Sequence, residues 1–116
     1  MEQQGLNSVM SDFVAACRTV FNEKLFDVRL FGSYARGDNN EESDIDVMVI
    51  LDMGVAEVSK SRHDICRIAA ALELKYNVTI SPVLYGREEY DKRKTFGFCK
   101  NVETEGVSQY VGRAYA

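Results

Sequence analysis

The sequence predicts an α+β fold, a two-layer arrangement in which a small mixed β-sheet is flanked by helices. Three observations carry this. Two long stretches place apolar residues at helical spacing, a short run between them is apolar and β-branched, and helical and extended stretches alternate along the chain. The 116 residues suit a single domain over 1–116, with one core that buries roughly two-thirds of the unfolded surface.

From Ser8 to Leu25, the residues Val9, Phe13, Cys17, Val20 and Phe21 recur at helical spacing, with Asn7 or Ser8 as N-cap. A short strand from Asp27 to Phe31 follows and is stopped by Gly32. Tyr34 to Glu42 is polar, carries Gly37 and Asn39-Asn40, and reads as a turn or short helical turn leading into a loop. Ile45 to Leu51, IDVMVIL, is the candidate central strand. Asp52-Met53-Gly54 breaks it, and a longer helix carries Val58, Arg62, Ile65, Ala69, Leu72 and Tyr76 on one face. Asn77 to Tyr85 alternates as a third strand, which Pro82 assigns to a sheet edge. Arg87 to Lys94 is a charged helix and Thr95 to Cys99 a turn containing aromatics. A last helix is expected from about Asn101, carrying Val102, Val107, Tyr110 and Val111.

Composition narrows the function classes. No apolar run approaches the ~20 residues of a membrane span, and MEQQGLNSVMSD lacks the basic and apolar regions of a signal peptide; the expected location is cytoplasmic. A net charge of −4 speaks against a general nucleic-acid binder, which needs a basic face. It leaves room for a small nucleotide, whose charge is met locally. His63 is the one histidine, on a helix between Arg62 and Asp64, and belongs to a solvated face. With Cys17, Cys66 and Cys99 far apart, there is no zinc spacing. Cys17 and Cys66 are expected as buried reduced thiols; Cys99 has no assignment from sequence.

The stretch from Phe31 to Ile50, FGSYARGDNNEESDIDVMVI, holds the chemistry. Asp44 and Asp46 open the central strand, and residues i and i+2 share a strand face roughly 7 Å apart. A lone Asp-x-Asp is usually just a charged strand entrance. Here the residues that follow are continuously apolar, so the entrance faces neighbouring strands, where two crowded carboxylates repel unless they share a cation. Hard oxygen ligands of this kind suit Mg²⁺. Gly32 and Ser33, eleven residues upstream of that pair, end one strand in a tight turn whose backbone N–H groups can meet a phosphate. Arg36 is either a second phosphate contact or a loop arginine paired with Glu41 or Glu42. Ser43 caps the turn before Asp44.

The sequence Gly32-Ser33-x-Ala35-Arg36-Gly37 followed by Ser43-Asp44-x-Asp46 resembles the signature of the DNA polymerase β-type nucleotidyltransferase superfamily. The similarity is to its minimal members, and it covers most of residues 8 to 85. The resemblance implies that fold, and transfer of a nucleoside monophosphate (AMP from ATP) to a hydroxyl of a protein or small molecule with Mg²⁺. Asp44 and Asp46 would be the catalytic metal ligands, with Gly32, Ser33 and Arg36 binding the nucleotide. It also implies a separate helical partner protein, as in some toxin–antitoxin pairs where the antitoxin adenylylates the toxin; a second copy of this chain is the other partner considered. Val107, Tyr110, Val111 and Tyr115 could cover either partner or complete the core. One departure stands out. The superfamily usually carries a third carboxylate on the next strand, and Asn77 to Tyr85 has neither Asp nor Glu; Asn77, Thr79 and Ser81 share one parity there, and Glu88 or Glu89 would have to reach in from beyond. The alternative reading is therefore a catalytically weak nucleotide- or partner-binding module, such as an antitoxin acting by occlusion. An RNA- or DNA-end transferase is disfavoured by the acidic balance.

Overall fold

A computed structural model of the protein describes residues 1–111; Tyr115 lies outside them. In chain order the elements are α1 (Gln3–Phe21), a 3₁₀ turn (Asn22–Lys24), β1 (Leu25–Phe31), α2 (Ser33–Arg36), β2 (Ile45–Leu51), α3 (Val55–Tyr76), β3 (Ile80–Gly86), α4 (Arg87–Arg93), α5 (Gly97–Glu105) and β4 (Val107–Val111). The strands form one mixed sheet in the order β3-β2-β1-β4. The β2–β3 pair is parallel, joined through α3, while β1 runs antiparallel to both β2 and β4.

The central strand is where the sequence puts it, from Ile45 to Leu51, and Val47 through Leu51 are all within 1% of fully buried. Alternation sends its side chains to two faces. Ile45, Val47, Val49 and Leu51 join the larger core with Leu6, Val9, Phe13 and Cys17 of α1 and Val58, Ile65, Ile68 and Leu72 of α3. Met48 and Ile50 join a smaller cluster with Phe31, Tyr90, Cys99 and Val102, under α4 and α5.

Differences from the sequence reading have local causes. α1 begins at Gln3 rather than Ser8, because Leu6 extends the apolar stripe one turn earlier and is buried. Asn7 and Ser8 are thus inside the helix, where Ser8 Oγ donates to the Gln4 carbonyl at 3.2 Å. Its end comes at Phe21, where Asn22 turns left-handed (φ 52°), and Leu25 belongs to β1 instead. β3 starts at Ile80 because Asn77 is the left-handed C-cap of α3. Pro82 sits in β3, an edge strand, as expected. Cys66 is exposed, not buried: one residue past Ile65 rotates it about 100° off the apolar stripe. His63 is exposed, as expected, and Arg62, expected on the apolar face, is exposed too. Cys17 is buried, and burial pushes its thiol up to about 12.

The largest correction is at the C-terminal end. The expected helix from Asn101 through Val111 is instead α5, which starts at Gly97 and stops at Glu105, followed by β4. Gly106 ends the helix with its N–H on the Val102 carbonyl at 2.7 Å, and β1 offers an open edge to the β-branched segment beyond. Asp27, buried in β1, ties the new strand down: it accepts from Ser108 Oγ at 2.6 Å and from Arg29 Nε at 2.9 Å. Cys99, unassigned from sequence, is buried on α5.

Candidate active site

Gly32 sits where β1 gives way to α2, with φ 73° and ψ −154°, a region open essentially to glycine alone. A second constraint acts on the same residue. A Cβ there would collide with Oδ2 of Asp46, whose carboxylate lies over the Gly32 Cα. The register explains this closeness, since Phe31 is the β1 partner of Asp46. The glycine bend and the acid are therefore contiguous.

The turn after Gly32 is tightly wound. The Gly32 carbonyl accepts from the N–H groups of Ala35 and Arg36 at 3.1 and 3.0 Å, and the Ser33 carbonyl accepts from Gly37 and Asp38 at 2.9 and 3.1 Å. Gly37 closes α2 in the left-handed conformation. Further along, Ser43 Oγ accepts from the Asn40 N–H at 2.9 Å, and the Ser43 N–H donates to the Asn40 carbonyl at 3.1 Å. That small turn aims the chain into β2 and sets Asp44 at its mouth.

Asp44 is exposed and Asp46 half-buried. Burial first, then the charge of Asp44, hold the Asp46 carboxyl above the ordinary aspartate range; Glu105 adds to this and Arg36 opposes it. Among the described residues no lysine or arginine makes an ion pair with either acid. Two carboxylates at one strand entrance, without a cationic side chain between them, form an oxygen donor pair open to a hard cation.

On the neighbouring strand, Ser81 is the β3 partner of Asp46, and its Oγ donates to Asp44 Oδ2 at 3.3 Å. The position beside the acid pair thus carries a hydroxyl. Glu88 and Glu89 do not supply the missing acid; they stand on the first turn of α4 within 3.8 Å of Lys92 and 3.7 Å of Arg93 respectively. No group of three or more His, Cys, Asp or Glu side chains with metal-binding geometry occurs among the described residues.

Arg36 pairs with neither Glu41 nor Glu42. Its Nε donates to Asp38 at 3.1 Å, and its Nη1 donates to Glu105 Oε1 and Oε2 at 3.3 and 3.4 Å. Glu105 also accepts from the Gly32 N–H at 3.2 Å. Sequence reasoning passed over this residue, which lies 73 positions from Gly32. One signal was available: an acid on the last residue of a helix opposes the helix dipole, and the last turn of α5 has no basic residue to offset it. A cleft of about 540 Å³ lies elsewhere, between Met53, Val55, Glu88 and Phe96, and holds none of the motif residues.

Comparison with known proteins identifies the family. Residues 13–106 match the family described as nucleotidyltransferase domain. Two proteins of Methanocaldococcus jannaschii, each named "putative protein adenylyltransferase", are similar over 101 residues. One is 38% identical, covering 85% of this chain and 93% of the relative; the other is 36% identical, covering 87% and 94%. The fold is similar to a solved structure titled "putative minimal nucleotidyltransferase" (TM-score 0.63, 24% identity, 92% of this chain and 95% of that one). It is also similar to a chain of a toxin–antitoxin crystal structure with AMP-PNP (TM-score 0.60, 20% identity, 91% of this chain and 76% of that one). The mixed sheet flanked by helices is thus the fold these proteins share, and the chain belongs to the nucleotidyltransferase domain family.

Proposed function

We propose that the protein transfers AMP from ATP to a hydroxyl of a separate protein, with Mg²⁺ held by Asp44 and Asp46. The observation that carries this reading is the placement of the Asp46 carboxylate directly over Gly32, which joins a cation-binding pair to a phosphate-binding bend. The names of the Methanocaldococcus relatives support a protein acceptor over a small molecule. The toxin–antitoxin neighbour bound to AMP-PNP supports ATP and a partner protein. We infer that residues 1–116 act as one domain, with the acceptor presented by the partner, or by a second copy of the chain. A cytoplasmic site of action follows from the need for ATP and Mg²⁺; no described helix is long and apolar enough to cross a membrane.

Mg²⁺ commonly takes one or two carboxylates and completes its shell with phosphate oxygens and water, so Asp44 and Asp46 fit it without a third acid. Bound there, the metal supplies activation of the acceptor oxygen and neutralisation of the leaving pyrophosphate. Gly32 lets the triphosphate approach the backbone closely, Ser33 offers its N–H and hydroxyl, and Arg36 adds a charge-assisted contact. Positioning and charge stabilisation carry the reaction, because no side chain becomes covalently modified.

Ser81 favours a second reading. A hydroxyl in the place beside Asp46 is a poor base for an acceptor, so the protein would bind nucleotide or partner while catalysing slowly. Incubation with ATP labelled at the α-phosphate and the protein encoded beside this one separates the two. Transfer predicts labelled partner with pyrophosphate release, reduced at least a hundredfold in Asp46→Asn. Nucleotide binding without label or pyrophosphate is the outcome that favours the binding module.

A further inference from the structure

The carboxylate of Glu105 already occupies the donors that a phosphate would use. It accepts from the Gly32 N–H at 3.2 Å and lies 3.3 and 3.4 Å from Arg36 Nη1. We propose that Glu105 is a latch that mimics a phosphate group: it closes the Gly32–Arg36 cradle in the free protein and swings out when a triphosphate enters. The inference rests on the nucleotide reading of Gly32 and Arg36 given above.

The fold holds the latch by its backbone and leaves the side chain to move. Glu105 ends α5, Gly106 bonds back to the Val102 carbonyl, and β4 begins at the next residue, paired with β1. A Cβ at Gly106 would collide with the Val102 carbonyl oxygen, so this exit from the helix is fixed. The Glu105 side chain is only partly covered, 28% exposed, and its partner Arg36 is 47% exposed. Rotation about its own side-chain bonds would release it to water without disturbing α5 or β4.

Charge gives the latch a function. An acid at a helix C-terminus is unfavourable where it stands, and Glu105 also adds to the negative potential on Asp46. Its two donors offset that cost. When a triphosphate takes both donors, Glu105 loses its partners and departs, and the mouth of β2 loses one negative charge as the anion arrives. A ligand must therefore outcompete a carboxylate, which disfavours weakly charged anions. Once pyrophosphate leaves, the same carboxylate re-closes the cradle.

The test is calorimetric titration of ATP with Mg²⁺ into the full chain as wild type, Glu105→Gln and Glu105→Ala, with Asp44→Asn alongside. The Gln variant keeps the shape and removes the charge, and thermal melting checks that each variant folds. The latch predicts affinities three- to tenfold tighter in both Glu105 variants. It also predicts a displaced Gly32 amide resonance in the nucleotide-free Gln variant, approaching that of wild type once both are saturated with ATP. Unchanged or weaker binding in both variants, with wild-type binding still dependent on Asp44, overturns the latch and leaves the nucleotide site standing. No binding by wild type or either Glu105 variant overturns both.

Discussion

One face of the sheet sets Ile45, Val47, Val49 and Leu51 of β2 against the long helices α1 and α3, and its side chains are apolar almost without interruption. The other sets Asp46, Met48 and Ile50 against the short helices α4 and α5, and it mixes a small apolar cluster with Asp27, Arg29, Glu103 and Glu105. The same strand feeds both. On the first face burial is complete and the packing is the main source of folding energy. On the second, polar groups are held by partners from distant segments, as when Tyr90 donates to Glu103 at 2.7 Å. Stability is thus concentrated on one side, and charge is positioned on the other.

A cavity on the first face sharpens that contrast most. Phe13 is 1% exposed within the α1–α3 core, and Phe13→Ala should cost about 3–5 kcal/mol of unfolding free energy, read from the denaturant midpoint. That is a large share of the ~5–15 kcal/mol typical of a domain. The folded fraction should still bind nucleotide as wild type does, since Phe13 belongs to the core on the face opposite Met48 and Ile50.

A smaller effect, of opposite sign, is expected on the second face. Burial and Asp44 raise the folded pKa of Asp46, so its ionised form opposes folding. The stability this group contributes is full below the unfolded value, ordinarily 3.8, and is lost as pH rises through the raised folded value. Asp46→Asn removes that dependence. In EDTA at neutral pH the variant should melt above wild type, the gap narrowing below about pH 4. A variant that melts lower at neutral pH would mean that Asp46 is held by a favourable partner.

How much of this was legible in the sequence differs between the faces. The first was readable because its signals are periodic: the stripe of α1, the β-branched run of β2 and the stripe of α3 each announce one buried side. Even there, ends shifted where a single residue decided, as Leu6 did at the start of α1 and Asn77 at the left-handed cap that ends α3. The second face was less readable. Val107, Tyr110 and Val111 fit a helical spacing and also an extended one, and only the open edge of β1 selects β4. For the site, the Gly32–Asp46 segment is local and its spacing is visible. Glu105 and Ser81 reach it through tertiary pairing, which no neighbouring residue encodes.

The direct test of the account is calorimetry of ATP binding with and without Mg²⁺, for wild type and Asp44→Asn. Binding that requires the metal and weakens at least tenfold in the variant, about 1.4 kcal/mol, is the predicted result. Binding of equal strength in EDTA, unchanged by the loss of the Asp44 charge, would contradict it.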